Sequence, residues 1–298
     1  MDKYTINVMK NTYSFGVRNL KLLYGNNYNK KHEIISAIRN TFYKLSNSEY
    51  SYENNVKYSF KINNSIIDLK KHILFEVNHL FDFAKEEKLA SKSLYVSLLE
   101  SLFDSIEYND LVNTINYLKG DLSDYMNEII GTYFKNNKLI VMFEDFNIKT
   151  IIKQLIINNT KEELKTNYMD LTYEEVIIHQ LEVISAIVSK ESLFKYIILV
   201  DIPILTKDIL SKIKAINTFN TSIIINFIEI KDIEANEIKE HTLLLNNQVI
   251  DLKDEIDIYN KITMNLLDKT TLTETKAVTK DYLNGVLTDE VERLKEII

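Results

Sequence analysis

The segment running from Lys195 to Asp201, Lys-Tyr-Ile-Ile-Leu-Val-Asp, constrains the fold more than any other stretch of the chain. Its five consecutive apolar residues, Tyr196 to Val200, end at a carboxylate and read as a strand buried on both faces. A helical segment, Asp208 to Phe219, and a second apolar strand, Ser222 to Ile230, follow directly. Strand, helix and strand in that order form a β-α-β unit, which implies a parallel sheet.

Two more strands are expected near the N-terminus, Tyr4 to Val8 and Leu20 to Tyr24. The second runs through Gly25-Asn-Asn-Tyr-Asn-Lys30-Lys31-His32 into a helix carrying Ile34, Ile35, Ile38 and Phe42. Strand, glycine loop and helix are the setting of a phosphate-binding loop. Against G-x-x-x-x-G-K-[ST], Gly25 and Lys31 fall in place, but Lys30 stands for the second glycine and His32 for the hydroxyl residue. The second glycine lets the backbone wrap closely round phosphate and the hydroxyl holds Mg²⁺, so nucleotide hydrolysis is not expected from this loop. A tight turn between strand and helix is the simpler reading of it. Asp201 sits where a magnesium-holding carboxylate would stand in an active enzyme of that type, and a structural role within the sheet is expected for it instead.

With five Gly and one Pro, the composition favours long ordered helices over flexible linkers. After a polar stretch, Asn47 to Asn55, and a short strand, Val56 to Ile62, helical spacing is read from Ile66 through Leu69, Ile73, Leu74, Val77, Leu80 and Phe81. A second helix carries Leu94, Leu98, Leu102 and Ile106, and two shorter ones, Asp110 to Leu118 and Asp121 to Phe134, are separated at Gly120. Asp145 is placed to cap the helix that follows with Ile148, Ile151 and Ile152, and Thr172-Tyr-Glu-Glu175 fits a capping box. A hairpin is expected from Thr242–Leu245 and Val249–Leu252, and a charged helical tail after Lys253. The expected organisation is a discontinuous α/β head, residues 1–65 and 191–298, with a mostly helical insertion over 66–190.

The absence of Cys excludes disulfides, thiolate catalysis and Cys-based zinc sites. No signal-like or membrane-spanning apolar run is present, so a cytoplasmic protein with no membrane partner is expected. The five histidines are scattered, and no nucleophile–base or carboxylate pair stands out, so no enzyme activity is expected. The net charge of -7 argues against a uniformly positive surface, yet allows a local lysine cluster to meet nucleic acid. Only three of the 36 basic residues are Arg, so such contact would be weakly sequence-specific.

Leu199-Val-Asp-Ile-Pro-Ile-Leu-Thr-Lys-Asp208, then a helix, then Asn220-Thr-Ser222 leading into an apolar strand, resembles the Csn-two family of type II-A CRISPR adaptation proteins. The degenerate loop at the other end of the head and the long helical insertion match that family in order, and the chain looks like a longer variant of it. The resemblance implies a P-loop-NTPase-like head with a degenerate phosphate loop, plus a helical leg. It further implies a homotetrameric ring that binds calcium and takes up the ends of linear double-stranded DNA, beside the RNA-guided nuclease and other adaptation proteins. On that basis Lys30, Lys31, Lys207, Lys212 and Lys214 are the candidates for DNA phosphates, and Glu144 and Asp145 for calcium, although Asp145 also suits helix capping. No nucleotide is expected. An active ATPase with an unusual loop and a helical protein-binding scaffold are the rival readings.

Overall fold

The structure, a computed structural model, describes residues 1–43, 58–90, 93–103, 106–133, 140–143, 151–152, 155, 171–190, 193–216, 219–246 and 249–253. The strands are β1 (Asp2–Val8), β2 (Asn11–Val17), β3 (Leu20–Tyr24), β4 (Tyr58–Ile62), β5 (Ser65–Ile66), β6 (His72–Asn78), β7 (Lys195–Asp201), β8 (Ile204–Thr206), β9 (Thr221–Asn226), β10 (Glu229–Lys231), β11 (Thr242–Leu245) and β12 (Val249–Asp251). The helices are α1 (Tyr28–Tyr43), α2 (Phe83–Glu87), α3 (Leu94–Phe103), α4 (Ile106–Tyr133), α5 (Tyr173–Val188), α6 (Lys207–Ala215) and α7 (Ala235–Ile238). Contacts divide the chain into two compact units, one of Met1–Phe81 with Thr172–Ile298, the other of Asp82–Leu171.

The first unit is an α/β structure around a six-stranded sheet of order β12-β11-β3-β9-β7-β6. The strands from β11 to β6 run parallel and β12 closes the edge antiparallel to β11, so the sheet is mixed. β7 lies inside it, between β9 and β6, and Ile197 through Val200 are all but inaccessible. Ile197 and Leu199 share a core with Ile34, Ile35 and Ile38 of α1. Ile198 and Val200 point the other way and are equally buried, so both faces of this strand are covered, as its unbroken apolar run requires.

A second sheet, antiparallel and of order β2-β1-β4-β5, shows the alternation of a half-buried surface. Tyr4, Ile6 and Val8 of β1 turn inward while Thr5 and Asn7 stay partly accessible. These inward residues, with Phe15 and Phe60, join the same core, so α1 is enclosed between the two sheets. That arrangement fixes the start of α1, and with it the loop from Gly25.

Local features follow the chemistry of the sequence. Thr172 and Glu175 form the capping box at the start of α5, with Thr172 Oγ1 accepting from Glu175 N and Glu175 Oε2 from Thr172 N. The β11–β12 hairpin forms as expected. Two expectations give way. The helical spacing from Ile66 to Phe81 belongs instead to β5 and β6. Ile73, Leu74 and Val77 keep helical spacing, but with Phe75 they also form a short apolar run that suits a strand covered on both faces, and pairing of all seven β6 residues with β7 decides for strand. Gly120 does not separate two helices, because α4 runs unbroken for 28 residues. Nothing lies within 4 Å of a Cβ built there, so this glycine costs only about 1 kcal/mol against Ala and does not end the helix.

β6 and α5, read from the sequence as parts of the insertion, pair and pack within the first unit. The second unit contains α2, α3 and α4. No helix among the described residues is long and apolar enough to cross a membrane.

Candidate functional site

The loop after β3 lies where the parallel strands end, the usual ligand crevice of such sheets. Gly25 adopts φ of 122°, open to glycine alone among ordinary residues, and a Cβ there would stand 2.4 Å from the carbonyl oxygen of Leu245. The β11 end is therefore pressed against the loop. Asn26 N donates to Asn246 Oδ1 at 3.0 Å, and Asn27 N to Leu245 O at 3.0 Å. Lys30 N donates to Asn27 Oδ1 and Lys31 N to Asn27 O. The amides that would cradle a phosphate are thus engaged by the protein's own carbonyl and amide oxygens.

Lys31 is directed the same way. Its Nζ donates to Phe227 O at 2.7 Å and lies 5.6 and 5.7 Å from the ring centres of Phe227 and Tyr28. The side chain is buried, and burial lowers its pKa to about 8. Lys30 Nζ donates to Asn246 O at 2.7 Å, and its pKa is also lowered by burial. Tyr24 stacks on Phe227 with centroids 5.7 Å apart, closing the apolar side of this plug.

Asp201, at the end of β7, accepts from Arg39 Nη2 at 3.0 Å and from Asn226 Nδ2 at 2.8 Å. Arg39 also binds Glu76 Oε2 at 2.7 Å, so one guanidinium from α1 bridges carboxylates on β6 and β7. This clamp engages the carboxylate that the sequence pattern sets at a magnesium-holding position. Among the described residues no three His, Cys, Asp or Glu side chains gather to hold a metal.

The candidate lysines do not form one cluster. Lys30 and Lys31 stand in the first turn of α1, with their side chains spent on Asn246 O and Phe227 O beside the closed loop. On α6, Lys212 pairs with Glu182 of α5 at 2.7 Å, whereas Lys207 and Lys214 turn toward Glu237 of α7, at 3.9 Å to its carboxylate and 3.2 Å to its carbonyl. Lys212 and Lys214 also sit in the last turn of α6, where positive charge favours the helix dipole. Glu144 and Asp145 lie outside the described residues, as does the tail after Lys253.

Three residues that shape this site escape a reading by motif: Arg39, Glu76 and Asn246. Asn246 carries a weak signal, a polar residue directly after three leucines at a strand end. Glu76, alone among apolar residues in a buried strand, carries another, since such a charge needs a partner.

No family model matches the chain, and no curated protein matches it. Among solved structures it is similar to Stu0660 of Streptococcus thermophilus, with a TM-score of 0.57 and 13% sequence identity over 94% of this chain and 84% of that one. At that identity the likeness is one of fold alone; Stu0660 is itself a Csn-two CRISPR protein, of the family that the segment Leu205-Thr-Lys-Asp208 resembles.

Proposed function

We propose that this chain is a non-enzymatic protein of CRISPR spacer acquisition that binds the ends of linear double-stranded DNA as a tetrameric ring. In this reading the first unit is a P-loop-NTPase-like head kept as a scaffold, and the second unit is the leg. The observation that supports it best is the closed loop. Asn246 and Leu245 occupy the amides of the cradle, Lys31 is spent on Phe227 O, and Arg39 is spent on Asp201. A nucleotide would have to displace all three. The fold likeness to Stu0660 supports the same reading.

The acidic net charge is compatible with DNA if cations line an inner wall while carboxylates face outward. Contacts of lysine to phosphate would then supply affinity with little base reading. Exposed apolar side chains along α4, Leu111, Tyr117, Leu118 and Tyr125, offer surface for subunit or partner contacts. Calcium belongs to the proposal only through Glu144 and Asp145. Titration with Ca²⁺ giving neither heat nor a change of oligomeric state would remove it.

Gel shifts of the full chain with linear and closed circular duplexes across a salt series test the central reading. Binding of the linear form, weakening steeply with salt, is expected. Equal affinity for closed circles would contradict end binding.

A further inference from the structure

The opposite end of the same sheet has a different character. At the starts of the four neighbouring strands β6, β7, β9 and β3 stand Lys70 and Lys71, Lys195, Phe219, and Arg18. Their proximity is fixed by backbone bonds: Lys195 N donates to Lys71 O at 2.8 Å, Tyr196 N to Asn220 O at 2.8 Å, and Ile223 N to Asn19 O at 2.7 Å. Adjacent strands lie ~4.8 Å apart, so the row is about 15 Å across.

All four cations are exposed, and none has an ion-pair partner among the described residues. The nearby Asp68 is turned into its own loop, where Oδ1 accepts from Lys70 N at 3.0 Å. Beside them Leu193 and Phe219 are fully exposed. A bare aromatic ring beside unpaired cations, on an acidic protein, has a cost in solubility and a use in recognition. The cations suit phosphates, and the ring suits the face of a base left uncovered where a duplex stops.

We infer that this edge is a contact surface for a DNA end, with Arg18, Lys70, Lys71 and Lys195 on phosphates and the Phe219 ring against the terminal base pair. The inference rests on the DNA-binding reading above and places the contacts away from the closed loop. The test uses the full chain and a labelled blunt linear duplex, followed by anisotropy between about 0.05 and 0.2 M salt.

Joint replacement Arg18→Gln, Lys70→Gln, Lys71→Gln and Lys195→Gln should weaken binding about 100-fold or more at the low-salt end and flatten the salt slope by about 3 to 4. Phe219→Ala should weaken it about 10-fold with the slope unchanged, because stacking releases no counterions. The replacements Lys70→Arg, Lys71→Arg and Lys195→Arg should retain binding. Circular dichroism controls for folding, and the exposed positions predict no change. Wild-type affinity and slope in the glutamine variant, or loss of binding in the arginine variant, would overturn the assignment while leaving DNA binding intact. No binding by the wild-type chain would overturn the DNA reading itself.

Discussion

The two ends of the central sheet are built from similar residues to opposite effect. Where the strands finish, Lys30, Lys31 and Arg39 are consumed by Asn246, Phe227, Glu76 and Asp201. Where they start, Arg18, Lys71 and Lys195 project into solvent. A cation binds a ligand only if the fold has not already satisfied it, so sequence position alone does not distinguish a structural lysine from a binding one. The end that resembles a nucleotide site by motif is the end whose polar groups are already taken.

The largest effect is expected from forcing the closed end apart. Gly25→Ala combines an unfavourable φ with a 2.4 Å approach to Leu245 O, and should cost about 3 kcal/mol or more in chemical denaturation. Wild-type stability would mean that β11 is not pressed against the loop.

The next largest concerns Lys31. Its folded pKa of about 8 lies below its ordinary 10.5, so between these values the unfolded chain holds a proton that the folded chain has lost. The stability of the wild type relative to Lys31→Met should therefore rise by about 3 kcal/mol as pH increases from 8 to 10.5, and stay level below 8. A difference independent of pH would place the ammonium in water.

Arg39→Ala leaves Glu76 and Asp201 without their shared cation. Because all three groups keep partial solvent access, a loss of about 1 to 2 kcal/mol is expected, against little change for an edge variant such as Lys195→Gln. Asn246→Ala, which removes one acceptor from Asn26 N, should cost about 1 kcal/mol. Inorganic phosphate that stabilises this variant more than the wild type would show that Asn246 stands in for an anion. Equal stabilisation of both would show that it does not.

Much of this architecture is legible in the residues. Tyr196–Val200 announces a strand covered on both sides, and Thr172 with Glu175 announces a helix start, because each depends on local pattern or short-range bonding. β6 is misread as helix because a short apolar run such as Ile73, Leu74, Phe75 and Val77 suits a helix face or a strand covered on both sides, and only the distant β7 chooses between them. The degenerate loop is visible at Gly25 to His32, but its closure is not. That closure depends on Asn246 and Phe227, about 200 residues away along the chain. The clamp of Arg39 on Asp201 is hidden for the same reason, as it joins a helix to a strand 162 residues later.

The most direct test of the account is the molecular mass of the full chain in solution with and without a blunt linear duplex. A tetramer that takes up the linear duplex, ignores a closed circle, and is unaffected by ATP with Mg²⁺ is the expected result. A monomer that ignores the duplex, or a protein that changes state only with ATP and Mg²⁺, would contradict it.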